Sequence, residues 1–146
     1  MSGKPSGVIS MATHFRQLND RWNAEPNAPD PTVRVEGASV VLDLVANSFH
    51  FSEFTEGHRI SVRFFNAWRY RLGRTNDEGW YMGQCRFSKD APAWGEFYEV
   101  SGDLKLTDCP EDWVVVGVPP GTLRHFLFYL RDETFECEAD DWALDE

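Results

Sequence analysis

The sequence predicts a mainly β (α+β) protein in which an N-terminal amphipathic helix packs on an antiparallel sheet that forms a sandwich or half-barrel. Two patterns predict the sheet. From residue 33 onward apolar and polar residues alternate, and turn-forming residues recur at intervals of roughly 8 to 15 residues. The 146-residue chain is 42% hydrophobic and 14% aromatic, which is enough for one core. We therefore expect a flexible N-terminus over residues 1–9 and a single globular domain over residues 10–146.

The first predicted element is a helix over about residues 10–25. Its apolar side chains recur at helical spacing, and Ser10 or Thr13 could cap its first turn. The apolar set consists of Met11, Phe15, Leu18 and Trp22. Prolines at positions 26, 29 and 31 cannot continue a helix, so we expect a linker over residues 26–32 and a β region over residues 33–141.

The longest alternating run covers residues 58–72. Its even positions are mostly apolar and its odd positions carry four arginines, so one face is expected to join the core while the other is basic. A strand of this length would span about 50 Å, longer than most strands. We therefore expect a bulge or a bend near Phe65 and Asn66.

Further strands are predicted on both sides of this run. An earlier strand contains Val40, Leu42 and Leu44, and the last two strands form a hairpin about Arg131, Asp132 and Glu133. The two hairpin strands cover residues 124–130 and 134–139, and further strands are predicted over residues 80–88, 94–101 and 113–118.

The charge pattern gives the first candidate site. The chain has a formal net charge of -10, yet residues 57–76 contain five arginines and no Asp or Glu. We call Arg59, Arg63, Arg69, Arg71 and Arg74 the arginine strip. Planar guanidinium groups on one strand face suit the recognition of carboxylates or phosphates. The candidate anion-binding residues are Arg63, Arg69, Arg71 and Arg124.

The sequence favours an internal role for these arginines over a ligand site. One face of the last predicted strand carries Glu136, Glu138 and Asp140, and pairs of opposite charge across neighbouring strands are common in sheets. Whether the arginine strip binds a ligand therefore depends on whether these two strands are neighbours.

Two function classes follow from the residues. The chain contains no P-loop, GxGxxG, GxSxG, HExxH or EF-hand pattern, which favours a non-enzymatic binding or interaction protein. Its partner would be another protein or a small anion, and an acidic inhibitor or immunity-type protein is one concrete version. The alternative is a hydrolase or lyase acting on an anionic small molecule. In that enzyme arginines would hold the substrate, and His125 with Glu78 or Glu136 would transfer protons.

A third reading is a cup for an apolar ligand, lined by Trp68, Trp80, Trp94 and Phe97. No cofactor is expected. No metal is expected either, because the spacing of His50, Glu53 and His58 matches no recognised ligand pattern.

The composition also predicts the cellular compartment of the protein and limits the classes of partner that it could bind. The three cysteines form no CxxC pattern, which is typical of a reducing compartment, and no segment reads as a leader peptide or a membrane span. We therefore expect a cytoplasmic protein that does not bind membranes. The acidic balance argues against binding nucleic acid, which requires clustered cations. The sequence leaves a homodimer open.

Several segments are similar to parts of small uncharacterised bacterial single-domain proteins. These segments cover residues 69–79, 95–100 and 124–137. The resemblance implies a compact bacterial β-rich domain and assigns no residue a catalytic role.

Overall fold

The computed structural model describes residues 14–73, 95–102 and 112–145. Within these ranges the protein is mainly β, with ten strands and no helix. The strands are β1 His14–Gln17, β2 Thr32–Glu36, β3 Ser39–Val45, β4 Arg59–Phe65, β5 Arg69–Gly73, β6 Phe97–Ser101, β7 Val114–Val115, β8 Arg124–Tyr129, β9 Thr134–Ala139 and β10 Asp141–Asp145.

The strands form two antiparallel sheets. The six-stranded sheet has the order β1-β6-β8-β9-β5-β7, and the four-stranded sheet has the order β10-β4-β3-β2. Their facing sides meet in an aromatic core. The ring centroid of Phe64 in β4 lies 6.0, 5.2 and 5.4 Å from those of Phe97, Phe126 and Phe135 in the other sheet. All four side chains are fully buried.

The expected bend near Phe65 and Asn66 is confirmed. Strand β4 ends at Phe65, and Asn66 has a positive φ of 50°, which an asparagine tolerates better than most residues. The chain then crosses to the other sheet, where Trp68 donates its backbone N–H to the carbonyl of Glu138 at 2.9 Å. The long alternating run therefore contributes one strand to each sheet.

The predicted hairpin is also confirmed. Strands β8 and β9 pair antiparallel, and their turn contains Arg131, Asp132 and Glu133. Other strands differ from expectation. The predicted strand over residues 113–118 is only the two residues of β7, and β10 extends the sheet beyond residue 141. The flexible terminus over residues 1–9 and the strand over residues 80–88 lie outside the described residues.

The predicted N-terminal helix is wrong wherever its range is described, from residue 14 onward. His14–Gln17 is a strand that pairs with β6, and Arg21 has a positive φ of 63°. Phe15 contacts Tyr98 on one face of the six-stranded sheet, whereas Trp22 packs against Phe97 on the other face. The apolar residues therefore serve two faces of a sheet instead of one helical stripe.

The expected linker is irregular but firmly attached. The residue before it and a residue in its middle both bond to Val45, the last residue of β3. Glu25 donates its backbone N–H to the carbonyl of Val45, and Val45 donates its own to the carbonyl of Pro29, both at 2.8 Å. Strand β2 begins at Thr32, the last residue of the predicted linker. None of the described residues belongs to a helix that is long and apolar enough to cross a membrane.

Candidate functional site

The bend divides the arginine strip between two surfaces. Arg59 and Arg63 lie on β4 of the four-stranded sheet, whereas Arg69 and Arg71 lie on β5 of the six-stranded sheet. In both strands the alternate residues pack into the core, so each pair of arginines is on the outward face of its own sheet. The expectation that the four arginines share one face is therefore wrong. Arg74 lies outside the described residues.

The two arginines of β5 are neutralised by the neighbouring strand. Strand β5 pairs with β9, which places Arg69 opposite Glu138 and Arg71 opposite Glu136. The corresponding nitrogen–oxygen distances are 2.6 and 2.8 Å. Arg71 also contacts Asp112 at 2.7 Å. Burial is the largest single effect on the pKa of Arg71 and lowers it, but the hydrogen bonds and charges of the two carboxylates together outweigh burial, so this pKa is raised.

The two arginines of β4 have carboxylate partners as well. Arg63 lies 3.0 Å from Glu36 and 3.3 Å from Asp145, and Arg59 lies 3.2 Å from Asp30. The hydrogen bond from Arg63 is the largest cause that lowers the pKa of Glu36, with burial opposing it. The two contacts of Arg63 link β4 to β2 and to β10, because Glu36 and Asp145 lie on those strands.

Arg124 is part of a third group of charges. Its guanidinium contacts Glu99 at 2.8 Å and Asp141 at 2.9 Å, and Arg16 contacts Glu99 at 2.7 Å. The hydrogen bond from Arg124 is the main cause that lowers the pKa of Glu99, with burial opposing it. All four predicted anion-binding arginines therefore already have carboxylate partners within the protein.

The structure brings together two of the three predicted acid–base residues. His125 Nε2 and Glu136 Oε1 are 2.6 Å apart, while the other carboxylate oxygen of Glu136 accepts a hydrogen bond from Arg71. Glu78 lies outside the described residues. A carboxylate that orients a histidine is a common element of general-base catalysis. His125 is only 2% exposed and Glu136 is fully buried, which favours a structural role for this pair.

The apolar cup is the last candidate site from the sequence. Among the described residues no group of three or more His, Cys, Asp or Glu side chains could hold a metal ion. Phe97 is buried in the core, and the guanidinium of Arg69 lies 3.9 Å from the centroid of the Trp68 ring, so both rings pack against the protein itself. Trp80 and Trp94 lie outside the described residues. Burial, followed by the charge of Glu138, raises the pKa of the Cys137 thiol, which makes this thiol unreactive.

A groove that the sequence did not reveal lies at one end of the fold. It has a volume of about 830 Å³, and one of the residues that line it, Phe49, is 74% exposed. We call it the acidic groove. It is lined by Glu25, Asn27, Ala28, Pro29, Asp30, Pro31, Val45, Ser48, Phe49, Glu56, Gly57, Asp132 and Glu133.

Three separate segments build the acidic groove, and hydrogen bonds hold them in place. The segment over residues 25–31 is attached to the end of β3, as described above. Asn47 is 5% exposed, and its side-chain oxygen accepts the backbone N–H groups of Phe49 at 3.0 Å and His50 at 3.2 Å. In the β8–β9 turn, Arg131 donates to the side-chain oxygen of Asn27 at 3.3 Å. Phe49 is thus carried on an anchored loop.

The described lining of the acidic groove is rich in carboxylates. It includes Glu25, Asp30, Glu56, Asp132 and Glu133, and none of the lining residues that the structure describes is a Lys, Arg or His. Two arginines reach its margin, where Arg59 contacts Asp30 at 3.2 Å and Arg131 lies 4.0 Å from Asp132. These are exposed ion pairs, which are weak in water.

Comparison of the chain with protein-family models, with curated proteins and with solved structures finds no match. The resemblance to small bacterial proteins thus stays a prediction, and the function is argued from the geometry.

Proposed function

We propose that the protein is a non-enzymatic cytoplasmic binding protein, that its two sheets form a sandwich, and that another protein docks at the end of this sandwich. The observation that carries the proposal is the acidic groove with the exposed ring of Phe49. A single exposed apolar residue is ordinary on a protein surface. An aromatic side chain inside a concave site is different, because such residues commonly anchor a partner.

The positions of the charges support a protein partner over a small anion. Every arginine that the sequence offered for anion binding has a carboxylate partner within hydrogen-bond distance. An anion would have to compete with these carboxylates, and in the acidic groove it would meet repulsion. An acidic inhibitor or immunity-type protein that covers a basic partner fits the formal net charge of -10. The homodimer stays a prediction that the particle mass in solution would decide.

Site-specific photocrosslinking tests the proposal. A benzophenone amino acid replaces Phe49 in one version of the protein, and Val118, which is 77% exposed and does not line the acidic groove, in another. In lysate of the source organism we expect one identified protein to crosslink to position 49 and not to position 118. That protein, once purified, should bind the native chain in a calorimeter and bind the F49A variant more weakly. Absence of a crosslink at position 49, or equal crosslinking at both positions, would contradict the proposal.

The alternative is a hydrolase or lyase that acts on an anionic small molecule. The close contact between His125 and Glu136 favours it, since Glu136 could orient the imidazole while Arg71 holds the carboxylate. Burial of both side chains opposes it, because a substrate would need a path to the ring. A panel of phosphate, sulfate and carboxylate esters distinguishes the two functions. Turnover that disappears in a folded H125Q variant would establish the enzyme.

A further inference from the structure

We infer that the acidic groove receives a basic, extended segment of the partner, with a lysine or arginine side chain lying across the ring of Phe49. The inference rests on the proposed function, since it names the chemistry of the partner that docks there. It concerns the acidic groove and, of the arginine strip, only Arg59, which lies at the margin of the groove.

The carboxylates of the acidic groove favour a basic segment as the part of the partner that binds there. The five carboxylates of the acidic groove come from three different segments, so their negative charges converge on one cavity. The arginines at the margin provide little compensation. In the closer of the two pairs, the Arg59 side chain is 41% exposed and that of Asp30 is 76% exposed, so water and salt screen the pair strongly. A cation from a partner could therefore replace either arginine at small cost.

The exposed ring of Phe49 favours a cation at the end of a long apolar side chain. Lysine and arginine carry an apolar stem that packs on an aromatic face, and the face of a phenyl ring attracts the charge at the end of the stem. Phe49 is 74% exposed and lines the same groove as the carboxylates, so a long basic side chain matches both features of the groove. A purely apolar segment would instead leave the carboxylates facing a dry interface.

The acidic groove is also preformed. One carboxylate oxygen of Glu25 accepts the backbone N–H groups of Asn27, at 3.1 Å, and of Ala28, which fixes the segment over residues 25–31. Asn47 fixes the backbone beside Phe49 in the same way. A preformed site spends little binding energy on ordering its own loops, which suits recognition of an extended segment.

Fluorescence anisotropy with short labelled peptides tests the inference. The probes are three peptides of equal length in which glycine alternates with arginine, serine or glutamate. We expect only the arginine peptide to bind, and its affinity should fall as the ionic strength rises to about 0.15 M. F49A should weaken binding about 5- to 10-fold through loss of the ring contact.

A matched pair of charge variants locates the binding. Glu56 lines the acidic groove, while Glu53 is an exposed carboxylate of the same loop that does not line it. We expect E56Q to weaken binding about threefold and E53Q to leave it unchanged. An equal effect of the two variants would mean that the peptide follows the overall charge of the protein, and the inference would be wrong. It would also be wrong if spermidine displaced the peptide at equal concentration, because the site would then take a small polyamine.

The outcomes separate the inference from the proposed function. If position 49 crosslinks one identified protein whose binding does not depend on salt and whose docking segment is not basic, the proposed function holds and the inference fails. If no protein crosslinks there, the proposed function fails, and a groove-specific peptide affinity would then establish only the chemistry of the site.

Discussion

Removal of the Glu136 carboxylate should cause a large loss of stability. Glu136 is fully buried, with His125 and Arg71 within 2.6 and 2.8 Å of its two oxygens. Glutamine keeps the size of the side chain but removes the charge that balances Arg71. Loss of one partner of a buried ion pair costs about 3–5 kcal/mol. In the glutamine variant Arg71 still has Asp112 as a partner, whose side chain is 56% exposed, so its charge is not left without compensation. We therefore expect a loss at the lower end of this range, about 3 kcal/mol.

Urea unfolding followed by circular dichroism at neutral pH measures this loss in E136Q. A change of about 3 kcal/mol corresponds to a fall in Tm of about 6–12 °C for a chain of this size. The control is D132N, because the Asp132 side chain is 68% exposed in a turn and its replacement should change stability by no more than about 0.5 kcal/mol. If folded E136Q loses less than about 1 kcal/mol with an unchanged m-value, the structural role assigned to the His125–Glu136 pair is wrong.

Two further predictions concern backbone packing and pH. A Cβ atom at Gly117 would lie 2.5 Å from the backbone oxygen of Ala67, whereas one at Gly121 would meet nothing within 4 Å. Gly117→Ala should therefore lower Tm by several degrees in a thermal melt and Gly121→Ala should not, and equal Tm values would contradict the close approach of these two chain segments. Arg124 lowers the pKa of Glu99 below its ordinary value, so the stability that this carboxylate contributes is complete above its unfolded-state pKa and is lost as the pH falls through the folded-state pKa. Unfolding titrations between about pH 5 and pH 2 should thus show a shallower loss of stability in E99Q than in the native protein, and identical slopes would exclude this linkage.

Local chemistry allowed much of the sheet structure to be predicted. The hairpin of β8 and β9 followed from two apolar runs on either side of a polar turn at residues 131–133, with Phe126 and Phe128 on one face of the first run. The bend at Asn66 followed from the length of the alternating run, since few strands extend so far without interruption. Both signals lie within a few residues of the feature that they predict.

The first element could not be predicted in this way. Residues spaced three and four apart fit a helical stripe, but they also fit a short strand followed by an irregular segment. Only the position of β6 decides between the two, because it offers Tyr98 to Phe15 on one face and Phe97 to Trp22 on the other. Strand β10 had a visible signal, the alternation of Trp142 and Leu144 between polar residues, which the predicted end of the β region at residue 141 cut off.

The acidic groove depends on contacts that are distant in sequence. Its walls come from residues 25–31, 48–57 and 132–133, and no segment alone shows a cavity. The same limit applied to the arginine strip. The sequence named Glu136 and Glu138 as potential partners, but whether β5 and β9 are neighbours depends on strand order, which periodicity does not determine. The structure shows that Arg69 and Arg71 form ion pairs with these two carboxylates of the protein itself.

The distribution of charge separates the residues that stabilise the fold from those available to a partner. Ion pairs hold Arg69 and Arg71 to a neighbouring strand, and their partners Glu138 and Glu136 are buried, so substitution there should change stability first. In the acidic groove Phe49 is exposed, and its substitution should change binding with little effect on unfolding. The surplus of carboxylates that gives the chain its net charge of -10 must remain in contact with water, because an unpaired carboxylate is too costly to bury. Most of the described arginines pair with carboxylates of the protein itself, while other carboxylates and the exposed Phe49 line the acidic groove, so this groove presents to a partner a surface that favours cations.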